Sequence, residues 1–342
     1  MAAVALPTDL FADDPELTVL HYYGYGDSKL HLDYIAKYGR SPKFMFTTSD
    51  LEALNMLKRG FDIQVVYICM PALSAFVAES VIEKWDFDRI PNSTYRFAGD
   101  VLGDRSADLS EYLVPYEFGN LFLTYNADQV PRADVQNLEI FKNPNYSGKI
   151  SLPAYSEDLF TLSLLATGVD NWDTLTEAEF EAAVTWLEEV HLNLPSYWEH
   201  EEELVDQFIV GDILVAWAWN SVGYYARDVN KAIRYAEGPD VGYGHWTCGF
   251  VKTKTNHRRD TMAYDYVNAV LSETNAEQLV DWGLGLANEK AFALYYDEDT
   301  RREVGLHSPE GPRLTQSSLP ADLYLRFVEE FERIRKLPKA AN

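Results

Sequence analysis

Apolar residues in the first ninety positions fall into short unbroken runs separated by amphipathic stretches. Residues 17–23 (Leu-Thr-Val-Leu-His-Tyr-Tyr) form one run and end at the turn Gly24-Tyr25-Gly26-Asp27; Lys43–Thr47 and Phe61–Ile68 form the next two. Between them, Leu30–Tyr38 and Asp50–Arg59 carry apolar residues at helical spacing, the second opened by Ser49 as N-cap and stopped by Gly60. A further helix follows the third run and ends near Lys84. Strands read as near-continuous apolar runs when both faces of their sheet are covered. The alternation therefore predicts a parallel sheet with helices on both sides.

The pattern restarts near Asn137. Lys149–Pro153 predicts a strand, Asp158–Thr167 a helix, and Thr176–Val190 a long helix with a capping box placed at Thr174-x-x-Glu177. Glu201–Val210 reads as a helix stopped by Gly211, its Glu199–Glu203 run as a solvated helix start, and Asp212–Trp219 as a buried strand. The strand Trp246–Lys252 follows a Gly-rich stretch, and helices are predicted at Thr261–Ser272, Ala276–Gly283 and Leu319–Lys336. No low-complexity linker separates the two α/β units, so the chain is expected to cross between them more than once and leave a cleft at the strand ends. The most apolar stretch, Ile63–Ile82, holds Gln64, Pro71, Ser74 and Glu79 and fits a strand followed by a helix better than a membrane span.

At 342 residues the length suits two domains. Acidic residues outnumber basic ones 54 to 29, and the resulting charge of -25 argues against nucleic acid or anionic membrane as partner. Met1–Pro7 and Leu10-Phe11-Ala12, ahead of Asp13-Asp14-Pro15-Glu16, resemble the tail of a signal peptide without its charged region, so residues 1–12 are read as a leader remnant and the protein as periplasmic. Cys69 and Cys248 are compatible with one bridge or none. Seven histidines without His-x3-His or Cys-x-x-Cys give no zinc motif, and neither G-x-S-x-G nor a phosphate loop occurs, so no catalytic residue, metal or cofactor is assigned.

Six segments in fixed order carry a resemblance. They are Leu17–Tyr23; Gly60-Phe61-Asp62-Ile63; Val114–Gly119; Leu138-x-x-Phe141-x-x-Pro144-x-Tyr146-x-Gly148-Lys149-Ile150; Gly211-Asp212-Ile213 leading to Ala218-Trp219-Asn220; and Glu237-Gly238 leading to Gly249-Phe250-Val251. In these the chain resembles the periplasmic spermidine/putrescine-binding proteins, a branch of the type II solute-binding family of ABC importers. The resemblance implies an α/β fold of two lobes (13–122 plus 247–292, and 123–246 plus 293–342) joined by hinge strands. It implies a monomer that closes on a solute and meets a membrane permease.

Carried over residue by residue, the resemblance puts Trp219, Asp158 (with Tyr155 ahead of it) and Asn288 at the ligand. Elsewhere this chain departs. The relatives' Trp-Thr-Glu-Tyr becomes Gly24–Asp27, their Ser-x-Tyr becomes Cys69-Met70-Pro71, and their Trp-x-Asp falls on His245-Trp246-Thr247, which removes an amine-holding acid. Tyr22, Tyr23, Tyr25 and Trp246 supply candidate cage rings, each able to attract an alkylammonium by roughly 0.5–2 kcal/mol. Asp27, Cys69 and Thr247 complete the candidate site, with Glu117 a weaker addition and Trp217 assigned to the core. The solute expected is a small cation or zwitterion held by one acid, rather than a long polyamine. A ferric ion held by Tyr224-Tyr225, an anion, and a periplasmic enzyme on the same scaffold are the alternatives. In such a fold the strands bearing Cys69 and Cys248 are neighbours, but adjacent parallel strands seldom bring Cα atoms to the roughly 4.4–6.8 Å that a disulfide needs.

Overall fold

The computed structural model describes residues 16–95, 109–254 and 257–339; the expected leader remnant, residues 1–12, lies outside them. The opening alternation forms β1 (Thr18–Tyr22), α1 (Leu32–Tyr38), β2 (Lys43–Thr47), α2 (Asp50–Lys58), β3 (Val65–Cys69) and α3 (Leu73–Ala78). β1 runs parallel to both β2 and β3. Ser49 caps α2 by accepting the Glu52 amide.

A long buried strand follows, β4 (Val114–Asn126), and then β5 (Ile150–Pro153), α4 (Ser156–Ala166), α5 (Glu177–His191), β6 (Tyr197–Trp198), α6 (Glu201–Val210) and β7 (Val215–Trp219). The chain continues through α7 (Asn220–Val229), β8 (Ile233–Tyr235) and the second long buried strand, β9 (Tyr243–Lys252). It ends with α8 (His257–Val270), α9 (Glu277–Asp281), β10 (Gly285–Leu286), α10 (Glu289–Tyr295), α11 (Glu298–Val304), β11 (Arg313–Thr315) and α12 (Ala321–Ile334). No helix among the described residues is long and apolar enough to cross a membrane.

The strands form one sheet in the order β2-β1-β3-β9-β4-β7-β5-β6, with β8 and β10 also on β4 and β11 on β9. β4 and β9 are antiparallel neighbours that serve both halves. The carboxyl end of β9 pairs with β3 and its amino end with β11. The first part of β4 meets β10, and the last part meets β7 and β8. β4 and β9 thus carry the chain between the two halves. After β9 the chain returns to the first half, where α8 packs on α1. At the middle of β4, Gly119 leaves no room for a side chain: a Cβ there would lie 2.5 Å from the Trp246 ring.

Two expectations need correction. The α5 capping box is built by Thr176 and Glu179, not Thr174 and Glu177. Thr174 closes a short 3-10 turn over Trp172–Thr174, so the helix cannot begin until two residues later. And β3 runs antiparallel, not parallel, to β9, which sets Cys69 directly opposite Cys248. Opposite residues of antiparallel strands approach to ~4.5 Å at non-hydrogen-bonded positions. Here the Cα atoms are 3.9 Å apart and the two cysteines form a disulfide.

Trp217 lies in the core, fully buried. α12 is amphipathic, and buries Tyr324, Phe327, Phe331 and Ile334. Phe327 stacks on Phe160 of α4 at 4.0 Å and faces Phe180 of α5 at 5.8 Å. Truncating Phe327 to Ala should cost about 3–5 kcal/mol of stability in urea denaturation. Arg326→Ala, which removes half-exposed ion pairs to Glu177 and Glu181 and a guanidinium over the Phe180 ring, should cost less, about 1 kcal/mol.

Candidate functional site

Carboxylates gather where strands of the two halves end. Asp50 opens α2 and is almost fully buried. The Tyr22 hydroxyl, at the end of β1, donates to its Oδ1 at 2.7 Å, and the Cys69 amide, at the end of β3, to its Oδ2 at 3.1 Å. Burial pushes the Asp50 carboxyl up to about 7, and repulsion from Glu157 adds to the shift.

Glu117 lies on β4, fully buried, at a bulge where the register against β9 shifts between Pro115 and Glu117. Such bulges re-aim side chains. Its Oε1 accepts from the hydroxyls of Tyr25 (2.5 Å) and Tyr67, while its Oε2 has no hydrogen-bond partner among the described residues. Burial pushes this carboxyl up to about 7, the two hydroxyls draw it down, and Glu201 raises it further.

The second half presents three more acids. Asp158, in the first turn of α4, accepts from Trp219 Nε1 at 2.9 Å and from Gln316 Nε2 at 2.7 Å. Burial lifts it to about 7, with a further rise from Glu157. Glu157, raised mainly by burial, accepts from the hydroxyls of Ser156 and Tyr324. Glu201, at the start of α6, accepts from Ser221 at 2.6 Å and is pushed up to about 6, again mainly by burial. No lysine or arginine among the described residues forms an ion pair with any of the five, and the carboxylate neighbours that shift them act only by repulsion.

Aromatic rings wall these groups. His21 is buried and held neutral, sandwiched between Tyr25 at 4.2 Å and Tyr67 at 4.0 Å. The Trp282 ring meets Tyr25 edge-on at 5.2 Å. Across from them Trp219 is flanked by Tyr155 at 5.3 Å and by the edge of Trp198 at 4.8 Å. Such an assembly offers negative ring faces and anionic oxygens to a cation and no positive group to an anion.

Of the residues singled out in the sequence, Tyr22, Tyr25, Tyr155, Asp158 and Trp219 join these clusters. Cys69 touches Asp50 through its amide while its sulfur is in the disulfide. Trp246 lies buried against Gly119, and Thr247 is buried opposite Phe118 on β4. Three candidates stand apart from the clusters. Tyr23, the first residue of the turn after β1, is 71% exposed and stacks on Phe46. Asp27 is exposed and caps a short 3-10 helix through the Lys29 amide. Asn288 caps α10 and donates to the Leu271 carbonyl, which engages both ends of its amide.

The Tyr224–Tyr225 pair lies on α7, where the Tyr225 hydroxyl donates to the Asp281 carbonyl. No group of three or more His, Cys, Asp or Glu able to hold a metal occurs among the described residues. Where the sequence pointed to one acid, Asp50, Glu117, Glu157 and Glu201 lie near Asp158; the Glu199–Glu203 run does open α6 with exposed Glu199, Glu202 and Glu203, and Glu201 alone turns partly inward. Asp50, Tyr67, Gln316 and Tyr324 had no distinguishing pattern in the sequence beyond ordinary helix and strand positions.

The family model for bacterial extracellular solute-binding proteins matches residues 66–302, well over half of the chain. Among solved structures, a Listeria monocytogenes protein assigned to spermidine/putrescine ABC transport aligns with TM-score 0.78 at 19% identity, covering 94% of this chain and 99% of that one. The spermidine/putrescine substrate-binding protein PotD of Streptococcus pneumoniae aligns with TM-score 0.67 at 17% identity, covering 94% and 99%. A structure described as a GABA receptor aligns with TM-score 0.76 at 14% identity, covering 96% and 100%. No curated protein matches the sequence. These likenesses show the two-lobe type II periplasmic-binding-protein fold. The chain belongs to the family of bacterial extracellular solute-binding proteins, which capture solutes for ABC transporters rather than catalyse reactions.

Proposed function

We propose that this chain binds a small organic cation with more than one ammonium group, outside the cytoplasm, and delivers it to the permease of an ABC importer. The observation that carries this reading is a set of buried carboxylates that meet no lysine or arginine among the described residues. An unpaired buried charge costs several kcal/mol, so Asp50, Glu117 and Asp158 are poised for a charge supplied from outside. A zwitterion such as γ-aminobutyrate also needs a cationic group for its own carboxylate, and these clusters contain none. Two of the structural neighbours carry spermidine/putrescine in their names, which supports the same class of solute.

Under this proposal the lobes are residues 13–122 plus 247–292 and 123–246 plus 293–342. The first contributes Asp50 and Glu117, the second Glu157, Asp158 and Glu201. A ligand that touches acids from both lobes gains more from the closed state than from the open one and shifts the population toward closure. Tyr22, Tyr25, Tyr155 and Trp219 cover the methylenes and face the ammonium groups, and the monomer carries the whole site.

Titration calorimetry with putrescine, spermidine, γ-aminobutyrate and glycine betaine tests the reading, and the first two should bind tightest. Asp158→Asn should weaken their binding by about 2–5 kcal/mol, more than tenfold. Trp219→Ala should weaken it too, while Trp217→Ala should mainly lower the melting temperature. Tightest binding to betaine or γ-aminobutyrate would overturn the proposal.

Acidity gives a second test. With Asp50, Glu117 and Asp158 near 7 in the folded protein and near 4 when unfolded, the folded state holds extra protons between those values. Their contribution to stability is complete below about pH 4 and is lost as the pH rises through 7. The ligand-free melting temperature should therefore fall from pH 5 to pH 8, less steeply in Asp50→Asn. Ammonium favours the ionised form, so binding below pH 7 should release protons and tighten as the pH rises. Calorimetry in buffers of different ionisation enthalpy reads this directly; net proton uptake would count against the assignment.

A further inference from the structure

The Cys69–Cys248 pair occupies the last rung of the β3–β9 ladder. Beyond it the strands part: β3 turns into a 3-10 helix at Met70–Ala72, and β9 runs on toward the other half to meet β11. A rung at such a fork has no neighbour on one side and frays unless it is tied. Both of its ends lead to a carboxylate. On one side the Cys69 amide donates to Asp50. On the other, Cys248 is paired across the sheet with Glu117, at the bulge that aims that side chain. Of the remaining donors, Tyr67 lies two residues before Cys69 on β3, while Tyr22 ends the adjacent β1 and Tyr25 sits in the turn after it.

We propose that the Cys69–Cys248 disulfide is a positioning element of the binding site, holding the Asp50 and Glu117 carboxylates at the spacing a two-ended cation requires. The inference rests on the ligand reading above. The bridge thus joins the residue that donates to Asp50 to the register partner of Glu117. Closing a sequence separation of 179 residues, it stabilises the fold as well, so the test must separate affinity from stability.

Three preparations are compared well below their melting temperatures: wild type, wild type reduced with a phosphine, and Cys69→Val with Cys248→Val, which keeps apolar packing across the rung. Circular dichroism confirms that each is folded, and calorimetry measures putrescine and spermidine affinity. The expected result is binding about tenfold weaker without the bridge, the size of one lost hydrogen bond to a charged group. Asp158→Asn should cost the same factor in bridged and unbridged protein, because that acid is held by the other half. Wild-type affinity in folded, unbridged protein, with only the melting temperature lowered, would reduce the disulfide to a stabiliser and overturn the inference. Should wild type bind neither amine, the ligand reading falls and this inference falls with it.

Discussion

Like charges taken out of water without a counter-ion are the constraint around which this molecule is arranged. Among the described residues the donors that reach the five acids are neutral: tyrosine, serine and tryptophan side chains, the Gln316 amide and the backbone N–H groups of Cys69 and Glu157. Such donors orient a carboxylate and soften its desolvation, yet leave its net charge unanswered. An arginine in the same place would satisfy the acid and close the site to any other cation. The basic residues are instead spent elsewhere, as at the far end of β9, where Lys252 meets Glu83 and Asp260.

Placement on the secondary structure makes the arrangement tolerable. Asp50, Glu157, Asp158 and Glu201 all lie in the first turn of a helix, where the exposed amides and the helix dipole favour negative charge. Glu117 sits on a strand and lacks that help. It is the one acid with two tyrosine hydroxyls on a single oxygen, and its other oxygen waits unpaired.

This placement also explains what could be read in the sequence. Long apolar runs and capped amphipathic helices were legible, so the two α/β units emerge from periodicity, while the strands that join them came only with the resemblance. Strands of two or three residues, such as β6, β10 and β11, leave no periodic trace. Helix-start acids are common for reasons unrelated to ligands, which hid Asp50 and made Glu201 look like solvated surface. Asp158 and Trp219 became visible through resemblance, because their partner Gln316 lies 158 residues from Asp158 and no local pattern joins them. The direction of β9 relative to β3 decides whether Cys69 meets Cys248, and a chain that leaves one half and re-enters it does not announce that direction.

The insertion of β9 between β3 and β4 bears on how the chain is made. Until residues 243–252 have emerged, β3 lacks its inner neighbour, and the first stretch of β4 has nothing but β10, later still, to pair with. β1, β2 and β3 can pair with one another as soon as they emerge, but the rung that joins β3 to β9 links residues 179 apart in sequence. Contacts this distant form slowly. The inner edge of β3 therefore has no native partner in a nascent chain until residues 243–252 have been made.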